Sequence, residues 1–102
     1  EKNIIEKNGA VSRKTAEMMA DNIKEKFKTN VGIGVTGIAG PGGGTKEKPV
    51  GLVYLSISYK NKNKVYKLNL NHSRTFNKWM TTQYAFFYLL NYYTISNNLS
   101  IP

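Results

Sequence analysis

The sequence contains no cysteine, one histidine and six carboxylates in 102 residues. Without thiols there can be no disulfide, no thiolate metal site and no thiol nucleophile, which fits a reducing compartment such as the cytoplasm. One imidazole and a few scattered carboxylates do not make a metal centre, so no metal and no other cofactor is expected. No apolar run approaches the ~20 residues that a membrane-spanning helix needs. No basic-then-apolar leader opens the chain, and no membrane partner is expected. Proline occurs three times, and no Asp or Glu follows Glu47.

What remains is the composition of a folded, soluble domain, with 40% hydrophobic and 21% charged residues. The length allows one modest core and not two. A chain that opens on Glu1 also reads as a piece of a longer product. The net charge of +9 is uneven: residues 1–47 carry eight Lys/Arg against six Asp/Glu, and residues 48–102 carry seven Lys/Arg and no carboxylate. A basic half can attract an anionic partner. Lys, Asn, Ile and Tyr are all abundant, as in proteins encoded by AT-rich DNA, and the lysines read as solvated charge.

Along the chain, Ser12 is a natural N-cap for a helix running to about Lys28, with Ala16, Met19, Ala20, Ile23 and Phe27 at helical spacing. "VGIGVT" (Val31 to Thr36) reads as a short buried strand, with Val31, Ile33 and Val35 on one face and the other left flat by Gly32 and Gly34. "VGLVYLSISY" (Val50 to Tyr59) and "VYKLNL" (Val65 to Leu70) flank a polar "KNKNK" tip, which predicts an antiparallel hairpin. Ser73 or Thr75 can cap a last helix with Phe76, Trp79, Met80, Phe87 and Leu90 as its stripe. The tail "TISNNLSIP" reads as frayed. The fold class is α/β, a layered sheet of a short strand plus an antiparallel hairpin flanked by helices. Three strands are few for such a sheet, which suggests that it is incomplete at its N-terminal side.

"VTGIAGPGGGTKEKPVG" (Val35 to Gly51) concentrates six of the nine glycines and two of the three prolines. So bare a backbone suggests close approach to a phosphate, a substrate or another segment. "GIGVTG" matches the dinucleotide fingerprint in letters only, because it lies within the predicted strand and opens no helix. No Gly-Lys-Ser/Thr triplet occurs, so the phosphate loop of the Walker type is excluded. The amides of Gly37, Ile38, Ala39 and Gly40 remain, unobstructed by large side chains and able to face an anion or a developing oxyanion, with the Thr36 hydroxyl beside them. A tight turn that lets strands and a helix approach explains the same glycines.

"GAVS" before the first long helix, the glycine-rich stretch, the strand after it and the Arg opening the last helix together resemble the C-terminal domain of the CinA (competence/damage-inducible protein A) family. The similarity covers about Gly9 to Leu90. It implies a metal-free nicotinamide-nucleotide amidase that converts nicotinamide mononucleotide to nicotinate mononucleotide and ammonia. It also implies a serine nucleophile on a Ser-Cys-Thr-Gly-Gly segment, which this chain lacks. Residues 1–102 are therefore expected to form the C-terminal portion of a single such domain, inactive alone. The resemblance makes Thr36 a supporting catalytic residue, and Gly37, Ile38, Ala39 and Gly40 the loop that faces the substrate. It makes Arg74 a phosphate ligand, with Lys78 one turn on, where relatives often have a second Arg. His72 and Ser73 stand where relatives have Gly-Asp. Lys46, Glu47 and Lys48 follow the family pattern but read chemically as solvated loop charges. The expected partners are a small-molecule nucleotide, no specific nucleic acid, and either a second copy or the missing N-terminal half. The rival readings are a small basic nucleic-acid-binding module, resting on the basic second half, and a non-catalytic remnant.

Overall fold

The computed structural model describes residues 2–97. Ahead of the expected first helix the chain forms a short helix, α1 (Lys2–Asn8); seven residues are too few for an amphipathic repeat to appear. Helix α2 (Arg13–Phe27) follows, with Ser12 as its N-cap accepting the Thr15 amide at 3.1 Å. Lys28 ends it in the left-handed conformation at φ 52°, its amide turned back to the last turn.

Strands β1 (Val31–Gly37), β2 (Leu52–Tyr59) and β3 (Lys62–Asn69) form one antiparallel sheet in the order β1-β2-β3. "GIGVTG" lies inside β1, so the dinucleotide reading fails structurally as well. The expected five-residue hairpin tip is shorter. Tyr59 pairs with Lys62, leaving only Lys60 and Asn61 to turn, with Lys60 at φ 57°. Lys62, Asn63 and Lys64 belong to the strand. They resemble loop residues because Lys62 and Lys64 are exposed at the end of an edge strand, while Asn63, on the other face, meets α2 through hydrogen bonds and not through apolar contact.

The register separates two unlike faces. Gly32 and Gly34 lie opposite Ser58 and Ser56, and Asn63 lies beside Ser58. This small, polar face carries α2, with Ala16 and Ala20 fully buried against it. A Cβ at Gly32 would strike the Ala20 carbonyl and one at Gly34 the Ala16 carbonyl, so the glycines let strand and helix backbones touch. Asn63 ties β3 to α2 through the Glu17 carbonyl at 3.3 Å and the Asp21 carboxylate at 2.9 Å. The flat glycine face of β1 is closely packed as expected, whereas Ile33 and Val35, expected to be buried with it, are about one-third exposed. Three of the five residues of the expected α2 face are likewise uncovered: Met19, Ile23 and Phe27 are exposed.

The opposite face is apolar. Leu55 and Ile57 are completely buried, each contributing about 1.5–3 kcal/mol by burial. Helix α3 (Arg74–Ser96) lies on this face, with Ser73 as N-cap accepting the Phe76 amide at 3.3 Å. It packs through Met80, Tyr84 and Tyr88 onto Val53, Leu68 and Leu70. The expected stripe is therefore mostly not the core-facing one. Phe76, Trp79, Phe87 and Leu90 are 42 to 60% exposed. A helix apolar nearly all round carries no unique stripe from which its inner face can be read. Thr94, Ile95 and Ser96, expected to be frayed, are helical, and Asn97 caps α3; the rest of that tail lies outside the described residues.

Candidate functional site

Helix α3 covers β2 and β3 and leaves the outer face of β1 open. The gap is a cleft of about 560 Å³, with Ile33, Val35 and Val53 on one side and Ala85, Phe86 and Leu89 on the other. Gly37 and Ala39, where β1 runs into the glycine loop, also border it, as do Arg74, Asn77 and Lys78 from the first turns of α3. No carboxylate is among the lining residues. The cleft is therefore an apolar trough with two cations, reinforced by the positive pole of α3.

The segments around it are tied together by named hydrogen bonds. The Ile38 amide donates to Leu52 O at 2.9 Å and Ile38 O accepts from Gly51 at 2.6 Å, continuing the β1–β2 ladder into the loop. Gly40 holds φ 89°, and a Cβ there would lie 2.6 Å from Val50 Cγ1. Arg74 Nη1 donates to Gly40 O at 3.2 Å. Asn77, 1% exposed, donates from Nδ2 to Ala39 O at 3.1 Å and His72 O at 3.0 Å. Its Oδ1 accepts the His72 amide at 3.1 Å. Asn77 thus clips the loop and the preceding turn onto α3. No sequence motif marked it. The available signal was an Asn, unfavourable in a helix interior, placed between the two candidate cations.

Thr36 points to the opposite side of the sheet from the cleft. Its hydroxyl donates to Ala10 O at 2.6 Å and so joins the end of β1 to the "GAVS" segment. That segment is further knotted by Ser12 and Thr15, whose hydroxyls both donate to Gly9 O, at 3.0 and 2.7 Å. Gly37, Ala39, Arg74 and Lys78 share the cleft; Ile38 and Gly40 lie in the same loop without lining it, and Thr36 braces it from behind. The Ala39 and Gly40 amides have no acceptor among the described residues, whereas the Ile38 amide is committed to Leu52. His72 packs edge-on against Phe76, with ring centroids 4.7 Å apart. Among the described residues, no three His, Asp or Glu lie close enough to hold a metal ion, and no helix is long and apolar enough to cross a membrane.

The sequence matches the model of the CinA C-terminal domain over residues 1–93. It is 50% identical over 96 residues to a protein of Halothermothrix orenii provisionally described as competence-damage inducible, covering 93% of this chain and 23% of that protein. It is 49% identical over 90 residues to a CinA-like protein of Fusobacterium nucleatum, covering 87% of this chain and 21% of that one. The chain thus spans less than a quarter of the curated relatives it matches. Among solved structures, it superposes on the competence/damage inducible protein CihA from Agrobacterium tumefaciens with TM-score 0.85 and 36% identity, covering 89% of this chain and 56% of that chain. A CinA superfamily protein from Escherichia coli gives TM-score 0.83 at 28% identity, covering 88% and 52%.

Proposed function

The chain belongs to the CinA C-terminal domain family, and from that premise we propose that it forms the nucleotide-binding portion of a nicotinamide-nucleotide amidase site. The observation that carries the reading is the convergence of Arg74 and Lys78 with the Gly37–Gly40 loop at an apolar cleft free of carboxylates. A nucleotide phosphate pairs with Arg74 and Lys78, the first as a planar fork and the second as a point charge. The nicotinamide ring lies toward the apolar walls. When a nucleophile adds to the carboxamide carbon, the oxygen gains negative charge in the tetrahedral intermediate. That charge returns to the C=O bond as the C–N bond breaks and the protonated nitrogen leaves as ammonia, and water then releases the nicotinate nucleotide. The unpartnered Ala39 and Gly40 amides are donors of the kind that stabilise such an oxyanion. Thr36 acts by holding the end of β1 against Ala10, and Ile38 fixes the loop through its ladder bonds. The nucleophile itself comes from polypeptide outside these 102 residues.

Complementation tests the reading. The protein is mixed with the separately produced N-terminal part of the H. orenii relative's domain, and ammonia release from nicotinamide mononucleotide is followed. The mixture is expected to turn over. Arg74→Ala and Lys78→Ala should raise KM for the nucleotide at least tenfold, with a smaller effect on a substrate lacking the phosphate. If the mixture forms a complex without releasing ammonia, or both variants leave KM unchanged, the reading is wrong.

A further inference from the structure

Asn8, Gly9 and Ala10 present three successive carbonyls, and each accepts from a side chain of a different segment. Gly9 O is taken by Ser12 and Thr15 at the start of α2, Ala10 O by Thr36 at the end of β1, and Asn8 O by Lys48 Nζ at 3.2 Å. Thr36 and Lys48 stand on the two limbs of the glycine loop, so one turn anchors both limbs. Lys46 and Glu47 are exposed as their sequence suggests, but Lys48 is half-buried. Its anchor is prepared from both sides. Gly9 follows α1 at φ 87° with its amide on Ile5 O at 2.7 Å, and Asn8 O is one of the last carbonyls of α1, which lack helical partners and favour a cation. A Cβ on Gly9 would lie 2.6 Å from Lys48 Nζ, so the bare residue admits the ammonium. On the loop side, Thr45 donates its amide to Lys48 O at 2.8 Å and accepts the Lys48 amide on Oγ1 at 3.0 Å, which fixes the backbone from which the side chain reaches.

We infer that Lys48 is a positioning residue, which sets the Ala39 and Gly40 amides by holding the outgoing limb of the loop on the Asn8 carbonyl. This role rests on the amidase reading above, in which those amides face the oxyanion. The path from Lys48 to them is short. Pro49 follows with its φ locked by the ring, and Val50 comes next. Gly40 lies so close to Val50 that a Cβ there would meet Val50 Cγ1 at 2.6 Å, and a Cβ on Gly44 would lie 2.6 Å from the Val50 amide nitrogen. Val50 is thus the floor under both ends of the glycine run, and a shift of Lys48 reaches Gly40 through it. Residues 41–47 are exposed and include three glycines, so they have little packing with which to hold the loop themselves. Lys48 is also absent from the cleft lining that contains Arg74 and Lys78. Its charge therefore serves a backbone carbonyl and not the nucleotide phosphate.

Three variants of the full chain test this. Lys48→Met keeps most of the stem and removes the donor, Lys48→Arg keeps a cationic donor, and Lys46→Met removes a charge from the same loop without touching the anchor. In amide NMR spectra, Lys48→Met should move the Ala39 and Gly40 resonances, Lys48→Arg should restore them in part, and Lys46→Met should leave them in place. In the complemented mixture with nicotinamide mononucleotide, Lys48→Met should lower kcat about tenfold or more while KM changes less than about twofold. That split is the reverse of the one expected for Arg74→Ala, and Lys48→Arg should recover much of kcat. Resonance changes confined to the immediate neighbours of Lys48 and Asn8 would overturn the positioning role. So would a raised KM with kcat unchanged, which would make Lys48 a substrate ligand. If the parent mixture releases no ammonia, the amidase reading falls, and the spectra still decide whether Lys48 sets the two amides.

Discussion

Gly34 and Gly40 answer different demands, and replacing them separates the two. Gly34 is extended and needs no special backbone freedom; its hydrogen faces the Ala16 carbonyl, so Gly34→Ala must push β1 off α2. Overpacking of that kind costs about 1–3 kcal/mol. Gly40 is in the left-handed region beside Val50, and Gly40→Ala should cost a similar amount through backbone strain together with a clash of the new Cβ with Val50 Cγ1. The two differ in rescue: Val50→Ala should relieve part of the Gly40→Ala penalty and none of that for Gly34→Ala, measured by urea unfolding. Asn77→Leu keeps the side-chain volume but leaves Ala39 O and both backbone groups of His72 without their partner. A fully buried group left so costs about 1–3 kcal/mol; these three are part-buried but are lost together, so Asn77→Leu should destabilise more than Ser73→Ala, which removes a cap worth about 1 kcal/mol. Asn77 was illegible in the sequence because its partners are carbonyls and an amide, which leave no side-chain signature. The glycine loop was legible because only glycine density explains it.

Among the elements, legibility followed the strength of local signals. Both capped helices were readable from Ser12 and Ser73, and β1 and β2 from their β-branched residues. The faces were unevenly legible. The close-packed face of β1 was readable from Gly32 and Gly34, whereas α3 has apolar residues nearly all round and no single stripe from which its inner face can be read. Where β3 meets α3, Tyr66 stacks on Tyr88 with centroids 3.8 Å apart, and its hydroxyl is buried without a partner among the described residues. Burial first, then the Tyr88 and Tyr92 phenols, push that hydroxyl above its ordinary pKa of 10.0. Below pH 10 the group is protonated in both the folded and unfolded states and does not affect stability. As pH rises from 10 through the raised folded value, the unfolded chain releases its proton and the folded chain keeps it, so stability falls. Tyr66→Phe should therefore be neutral or slightly stabilising at pH 7. Above pH 10 it should lose less stability than the parent, as shown by paired urea titrations at pH 7 and pH 10.5. An identical alkaline loss in both proteins would remove Tyr66 as a source of that sensitivity.

For the whole molecule, the open edge of β1 is the governing feature. One side of β1 pairs with β2 and the other has no strand among the described residues, while Met19 and Ile23 from α2 and Ile33 and Val35 from β1 lie exposed. The solved relatives contain nearly as much chain again beyond the part that superposes. A strand and helix added along β1 would cover these side chains and bring new groups to the cleft. The cleft as it stands has cations, free amides and apolar walls, but no nucleophile paired with a base. None of its hydroxyls, those of Thr81 and Thr82, has an imidazole or carboxylate among the lining residues. Hydrolysis of an amide at neutral pH depends on such a pair acting together, and losing it costs orders of magnitude in rate. These 102 residues alone are therefore expected to bind nicotinamide mononucleotide weakly, with an affinity that declines as salt screens Arg74 and Lys78, and to release no ammonia above the uncatalysed background. The two expectations are measured together, by calorimetric titration at low and high salt and by a sensitive ammonia assay on the same preparation. Sustained turnover that survives repurification would mean that a nucleophile exists within this chain, and the division of the site between two stretches of polypeptide would have to be abandoned.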